Sequence, residues 1–112
     1  MLRQVHEHHD RVSLEIARRI ARDLPERPEW IIMARGNLAR WREINANAPA
    51  LLRCYAEWDA LLDRPVDVVV GQLTADTDES RRLRQNSPFA GALSPQTIWD
   101  IKRGMRDDTI AA

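Results

Sequence analysis

The densest group of chemically able side chains in this sequence is His6-Glu7-His8-His9-Asp10. On a helix, His6, His9 and Asp10 stand at i, i+3 and i+4, so two imidazoles and a carboxylate share one face and can approach a single divalent cation. A zinc hydrolase asks for more: two histidines flanking a glutamate at helical spacing, with a further ligand from elsewhere in the chain. Neither is present. The reading is a solvated first helical turn in which His9 is partly buried, with no metal and no cofactor.

Other reaction classes lack their parts as well. Arg3 followed by His8 or His9 meets the arginine-to-histidine spacing of a nuclease class built on helical hairpins, but that motif normally sits deep in a bundle and here it lies near a terminus. There is no glycine-rich phosphate loop, no nucleophile elbow and no triad around Cys54. Cys54 is the only cysteine, which excludes an intrachain disulfide and reads as a small core residue in a reducing compartment. The chain is not read as an enzyme.

What remains is recognition. The segment from Ser80 to Arg106 holds Arg81, Arg82, Arg84, Lys102, Arg103 and Arg106 against Asp100 alone, a local net of +5 in a chain whose 17 basic and 17 acidic residues cancel. Such a segment suits phosphates or an acidic protein surface. Sixteen of the 17 basic residues are Arg, as a GC-rich genome would give, and Arg is also the better fork for carboxylates. Of the four tryptophans, Trp30 and Trp41 repeat about three turns apart beside Ala34 and Leu38, and Trp58 accompanies Tyr55, so these read as core. Trp99 is out of phase with its helix's apolar stripe and reads as exposed. The candidate contact residues are Arg81, Arg82, Arg84, Gln85, Phe89, Trp99 and Arg103.

Helices must position these groups. Leu2, Val5, His9, Val12, Ile16, Ile20 and Leu24 recur at steps of three and four, predicting one helix to about Leu24 that Pro25 and Pro28 end. A second helix is predicted over Glu29 to Asn45, with Trp30, Ala34, Leu38, Trp41 and Ile44 inward. Gly36 within it marks either a close backbone approach or a bend. Pro49 and Pro65 each read as the first residue of a helix, the latter short, with Val66, Val69, Val70 and Leu73 on one face. Asp76 and Glu79 resemble a capping box opening a fifth helix to about Asn86. Ser94 caps a sixth with Pro95 at its first position and Ile98, Ile101 and Met105 inward, and 107–112 is expected to fray.

At 112 residues with 44% hydrophobic and 30% charged residues, the composition is that of one folded domain burying roughly 65% of its unfolded surface. The expectation is an all-α, compact single-domain bundle of five or six helices spanning 1–112. No apolar run reaches the ~20 residues that span a bilayer and the start lacks a signal-peptide core, so the cytoplasm is expected and membrane association is not.

Two resemblances bear on function. Leu93-Ser94-Pro95-Gln96-Thr97-Ile98-Trp99-Asp100-Ile101-Lys102-Arg103-Gly104 resembles the recognition-helix half of a Cro/repressor-type helix-turn-helix, which implies that Gln96, Thr97 and Lys102 reach base edges of operator DNA. More of the chain, Ala34-Arg35-Gly36-Asn37-Leu38-Ala39-Arg40-Trp41 with Arg82 through Pro95, Trp99 and Ile101, is similar to short bacterial proteins, some described as antitoxin components of toxin–antitoxin operons. That resemblance implies a protein that binds and neutralises a cognate toxin enzyme and often represses its own operon. The alternative is a DNA-binding regulator using the basic segment. The expected partner is thus a protein toxin or another bacterial protein, with operator DNA and a homodimer left open.

Overall fold

The computed structural model describes the backbone of residues 2–111 and the side chains of residues 7–106. Helix α1 (Leu2–Asp23) passes through a 3-10 turn (Leu24–Glu26) to α2 (Glu29–Ile44), α3 (Pro49–Leu62), α4 (Val66–Thr74), α5 (Asp78–Arg84) and α6 (Pro95–Ala111), with no strand among the described residues. The chain is an all-α bundle. Helix α6 is helical in its backbone through Ala111, beyond the 107 at which fraying was expected; its side chains past Arg106 lie outside the described residues. Among the described residues, no helix is long and apolar enough to cross a membrane.

The prolines end elements as their missing amide hydrogen dictates, with one shift. Pro49 is the first residue of α3, but Pro65 stands just before α4 in an extended conformation (ψ 152°), and its carbonyl accepts from Val68 and Val69. Asp76 does not cap α5. The cap is Thr77, whose Oγ1 accepts from the Ser80 amide at 3.1 Å, while Asp76 turns to the Arg81 guanidinium. Both residues precede the helix and both have the right chemistry; the neighbouring position won.

Short α4 occupies the middle, packing against α1, α3, α5 and the 3-10 turn. Val69 and Leu73 are fully buried there, joined by Ile20, Leu24, Leu38, Trp58 and Leu62. Helix α1 buries Val12, Ala17, Ile20 and Ala21 and the 3-10 turn buries Leu24, so Val12, Ile20 and Leu24 of the expected stripe are inward, supplemented by two alanines that let neighbours approach, while Leu2 and Val5 lie outside the described side chains. On α2, Ala34 and Leu38 are buried and Trp30 and Trp41 packed against the core as expected. Ile44 is not: it is 76% exposed at the last residue of α2, where Trp41 and Arg42 are the side chains turned to α3. Gly36 marks no close approach either, since a Cβ built there meets only the Arg40 side chain, at 4.0 Å. Helices α2 and α3 are tied by the Arg35–Asp63 pair at 2.6 Å, by the Arg42–Asp59 pair and by the Asn45 amide on the Tyr55 hydroxyl at 3.0 Å.

The segment 85–94 between α5 and α6 has no helical bonds of its own, yet Pro88 and Phe89 within it are buried. Its shape is fixed by side chains from other elements. Asn37 of α2 donates through Nδ2 to the carbonyls of Pro88 (2.8 Å) and Ala90 (3.0 Å), and Arg40 donates to the same side chain's Oδ1, which fixes the amide's orientation. Trp58 of α3 donates through Nε1 to the Leu83 carbonyl at 3.0 Å and meets the Phe89 ring edge-on at 6.2 Å.

Two variants test this description. Asn37→Ala leaves the buried Pro88 carbonyl and the part-buried Ala90 carbonyl without this donor and is expected to cost about 1–3 kcal/mol, read as a fall of several degrees in the midpoint of thermal unfolding. Gly36→Ala, on an open face of the same helix, is expected to raise stability by about 0.5–1 kcal/mol; a loss instead would mean that α2 needs a flexible residue there.

Candidate functional site

The seven candidate contact residues do not share one surface. Arg84 and Phe89 are 7% and 1% exposed, which removes both from any contact face. Phe89 packs on Trp58. Arg84 donates from Nη1 to the carbonyls of Leu73 (3.1 Å) and Ala75 (2.7 Å), at the end of α4 where carbonyls lack helical partners. A guanidinium there also opposes the negative end of the helix dipole. Burial pulls its pKa below the ordinary arginine value, partly offset by the Asp76 charge. It is a cap for α4, and the basic run concealed it.

Arg81 and Arg82 face solvent but are engaged within the molecule. Arg81 pairs with Asp76 and Asp78, and Arg82 with Glu57 of α3 at 2.7 Å, a bond that raises the Arg82 pKa. Gln85 is exposed at the end of α5. The +5 of the segment is thus largely spent close to home. In the helix-turn-helix set, Gln96 donates to Asp100, Thr97 is the residue whose amide Ser94 caps at 3.1 Å, and Lys102 is exposed. The connection from α5 to α6 runs over 85–94, far longer than the three to four residues of a helix-turn-helix turn.

Where α6 leans on α1, the structure opens a groove of about 870 Å³. Its floor is apolar: Val12 of α1, Leu93 and Pro95 at the entry to α6, and Ile98 and Trp99 on the helix. His8 and His9 stand along one wall, Lys102, Arg103 and Arg106 along the other, and no carboxylate lines it among the described residues. Trp99 is 53% exposed, as its phase predicts, with the Arg103 guanidinium 5.2 Å from its ring centroid and also bonded to Asp100. Gly91, with φ +92°, makes the turn that brings the chain to this floor, in a backbone region open to glycine and strained for other residues.

The histidine run meets a different environment from the one expected. His9 is exposed and His8 half-buried, the reverse of a stripe that places His9 inward. His6 lies outside the described side chains. Among the described residues no three His, Cys, Asp or Glu side chains converge as a metal site would require. The carboxylates of the first turns, Glu7 and Asp10, line a separate hollow of about 380 Å³ with Arg11, Asp76, Arg81 and Arg84, where both charges are mixed.

Sequence reasoning found Trp99, Lys102 and Arg103 but not the opposite wall. The signal for Val12 was its place in the α1 stripe, which a reading limited to core assignment absorbs. No family, curated protein or solved structure matches the chain.

Cys54 is buried, and desolvation pushes its thiol pKa up, with the Glu57 charge adding to the effect. A raised thiol pKa means less thiolate at a given pH, so at pH 8 Cys54 is expected to react with a disulfide reagent at least about tenfold slower than free cysteine until denaturant is added. Phe89→Ala is expected to cost about 3–5 kcal/mol. Trp99→Ala is expected to cost no more than about 1 kcal/mol, the value of an exposed cation–π contact; comparable losses in urea unfolding would mean that Trp99 is a structural residue.

Proposed function

We propose that this chain is an antitoxin-type binding protein of the cytoplasm, which captures a cognate toxin enzyme and silences it by occupying surface the toxin needs. The observation that carries this reading is the groove between α1 and α6, where an exposed tryptophan backed by arginine sits on an apolar floor between a wall of two histidines and a cationic one. Tryptophan and arginine are the side chains that most often dominate protein interfaces, and an open apolar trough rimmed by charge is the anatomy of a contact site. The sequence similarity to short bacterial antitoxins supports the same reading, with one change in mechanism. Arg84 closes the end of α4 and Phe89 anchors the 85–94 segment on Trp58, so contact falls to Trp99, Lys102, Arg103 and Arg106.

The test is recovery of tagged protein from its native host at low and moderate salt, identifying protein and nucleic acid together, followed by expression of the recovered partner alone. The expected result is a stoichiometric protein that survives moderate salt, arrests growth by itself and is relieved by co-expression of this chain. Trp99→Ala combined with Arg103→Ala is expected to weaken the complex by about thirtyfold or more, the scale of a tryptophan hot spot, while thermal unfolding changes little. Recovery of DNA alone, in amounts that fall steeply with salt, would replace this reading with a DNA-binding regulator.

A further inference from the structure

We infer that the α1/α6 groove receives an acidic amphipathic helix, about three turns long, contributed by the partner protein. This deepens the toxin-binding reading by naming the chemistry of the segment bound. Charge complementarity sets the sign. In a chain with equal numbers of acidic and basic residues, the described lining of the groove gathers Lys102, Arg103 and Arg106 with the imidazoles of His8 and His9 and no carboxylate. Asp100, the one acidic residue of 80–106, faces the Gln96 amide and Arg103, so it reduces the charge of Arg103 and leaves Lys102 and Arg106 on the rim. Glu7 and Asp10 belong to the other hollow.

The floor sets the rest. Val12, Leu93 and Ile98 offer aliphatic surface that a phosphate backbone cannot use, so the apolar and cationic parts of the groove are both satisfied only by a ligand with an apolar stripe and flanking acids. The lining of α6 runs from Pro95 to Arg106, eleven residue steps or about 16 Å at helical rise. A trough between two helices accepts a third along its length, as amphipathic helices seat in hydrophobic grooves, with anchors at i, i+3 or i+4, and i+7. Glutamates beside those anchors then lie against Lys102 and Arg106 on one side and His8 and His9 on the other.

The experiment uses the full chain, 15N-labelled, with the Trp99 indole resonance assigned through Trp99→Phe. Three probes are titrated: a 14-residue synthetic helix with leucine at i, i+3, i+7 and i+10 and glutamate on its flanks, the same peptide with each glutamate replaced by lysine, and a duplex DNA. The acidic peptide is expected to shift the Trp99 indole and to bind about tenfold or more tightly than its lysine counterpart. The paired substitution Lys102→Glu with Arg106→Glu is expected to reverse that preference, with an unchanged circular dichroism spectrum confirming the fold. Equal binding of the two peptides, binding of neither, or DNA competing for the Trp99 resonance would each overturn the assignment. The host partner separates this inference from the broader reading. A toxin that binds the Lys102→Glu, Arg106→Glu variant undiminished leaves the antitoxin function standing and removes the groove as its site; charge-selective peptide binding with no toxin in the host does the reverse.

Discussion

Buried backbone carbonyls outside helices are the constraint on which this structure turns. The chain places Pro88 and Phe89 of a non-helical segment in the interior, and each carbonyl carried inside with them needs a donor that no regular ladder supplies. Asn37 serves Pro88 and Ala90 and the Ala92 amide serves Phe89, while beside the segment Trp58 serves Leu83 of α5 and Arg84 serves Leu73 and Ala75 at the end of α4. Among the described residues no buried side-chain nitrogen or oxygen is left without a partner. Asn37 of α2 and the Trp58 ring of α3 against Phe89 thus hold the segment, and Arg84 of α5 closes the neighbouring end of α4.

The groove is a product of that arrangement. Once Asn37 has drawn Pro88 and Ala90 inward, Gly91 must reverse the chain with a positive φ, and Leu93 and Pro95 emerge beside α1. Ser94 then starts α6 at a set point, with its hydroxyl on the Thr97 amide. The phase of α6 follows from its cap, and with it the exposure of Trp99. Electrostatics are arranged by the same geometry: Arg81 and Arg82 turn back to Asp76, Asp78 and Glu57, whereas Lys102 and Arg106 are left on the groove rim.

The helices were legible in the sequence because apolar spacing and proline position are local properties. The six helical segments, the core roles of Trp58, Val69 and Leu73, and the exposed phase of Trp99 all follow from counting residues along one element. What was not legible depended on what stands opposite. Ile44 and His9 both have the right spacing, and both side chains are exposed. Asn37 is polar on an apolar face, and its partners lie 51 and 53 residues away. Arg84 read as one more charge in a basic run, although Ser80, Leu83 and Arg84 share a face at i, i+3 and i+4, and that face is the buried one.

The separation between Asn37 and its acceptors also bears on how the chain reaches this state. Bonds spanning some fifty residues close only after the intervening helices have ordered, since the entropy of so large a loop opposes them earlier. The floor residues Gly91 to Pro95 take their register from those bonds, so a form in which they are broken lacks the groove. Anything that bound the closed groove and not the open chain would lower the population of open forms by mass action and slow their proteolysis.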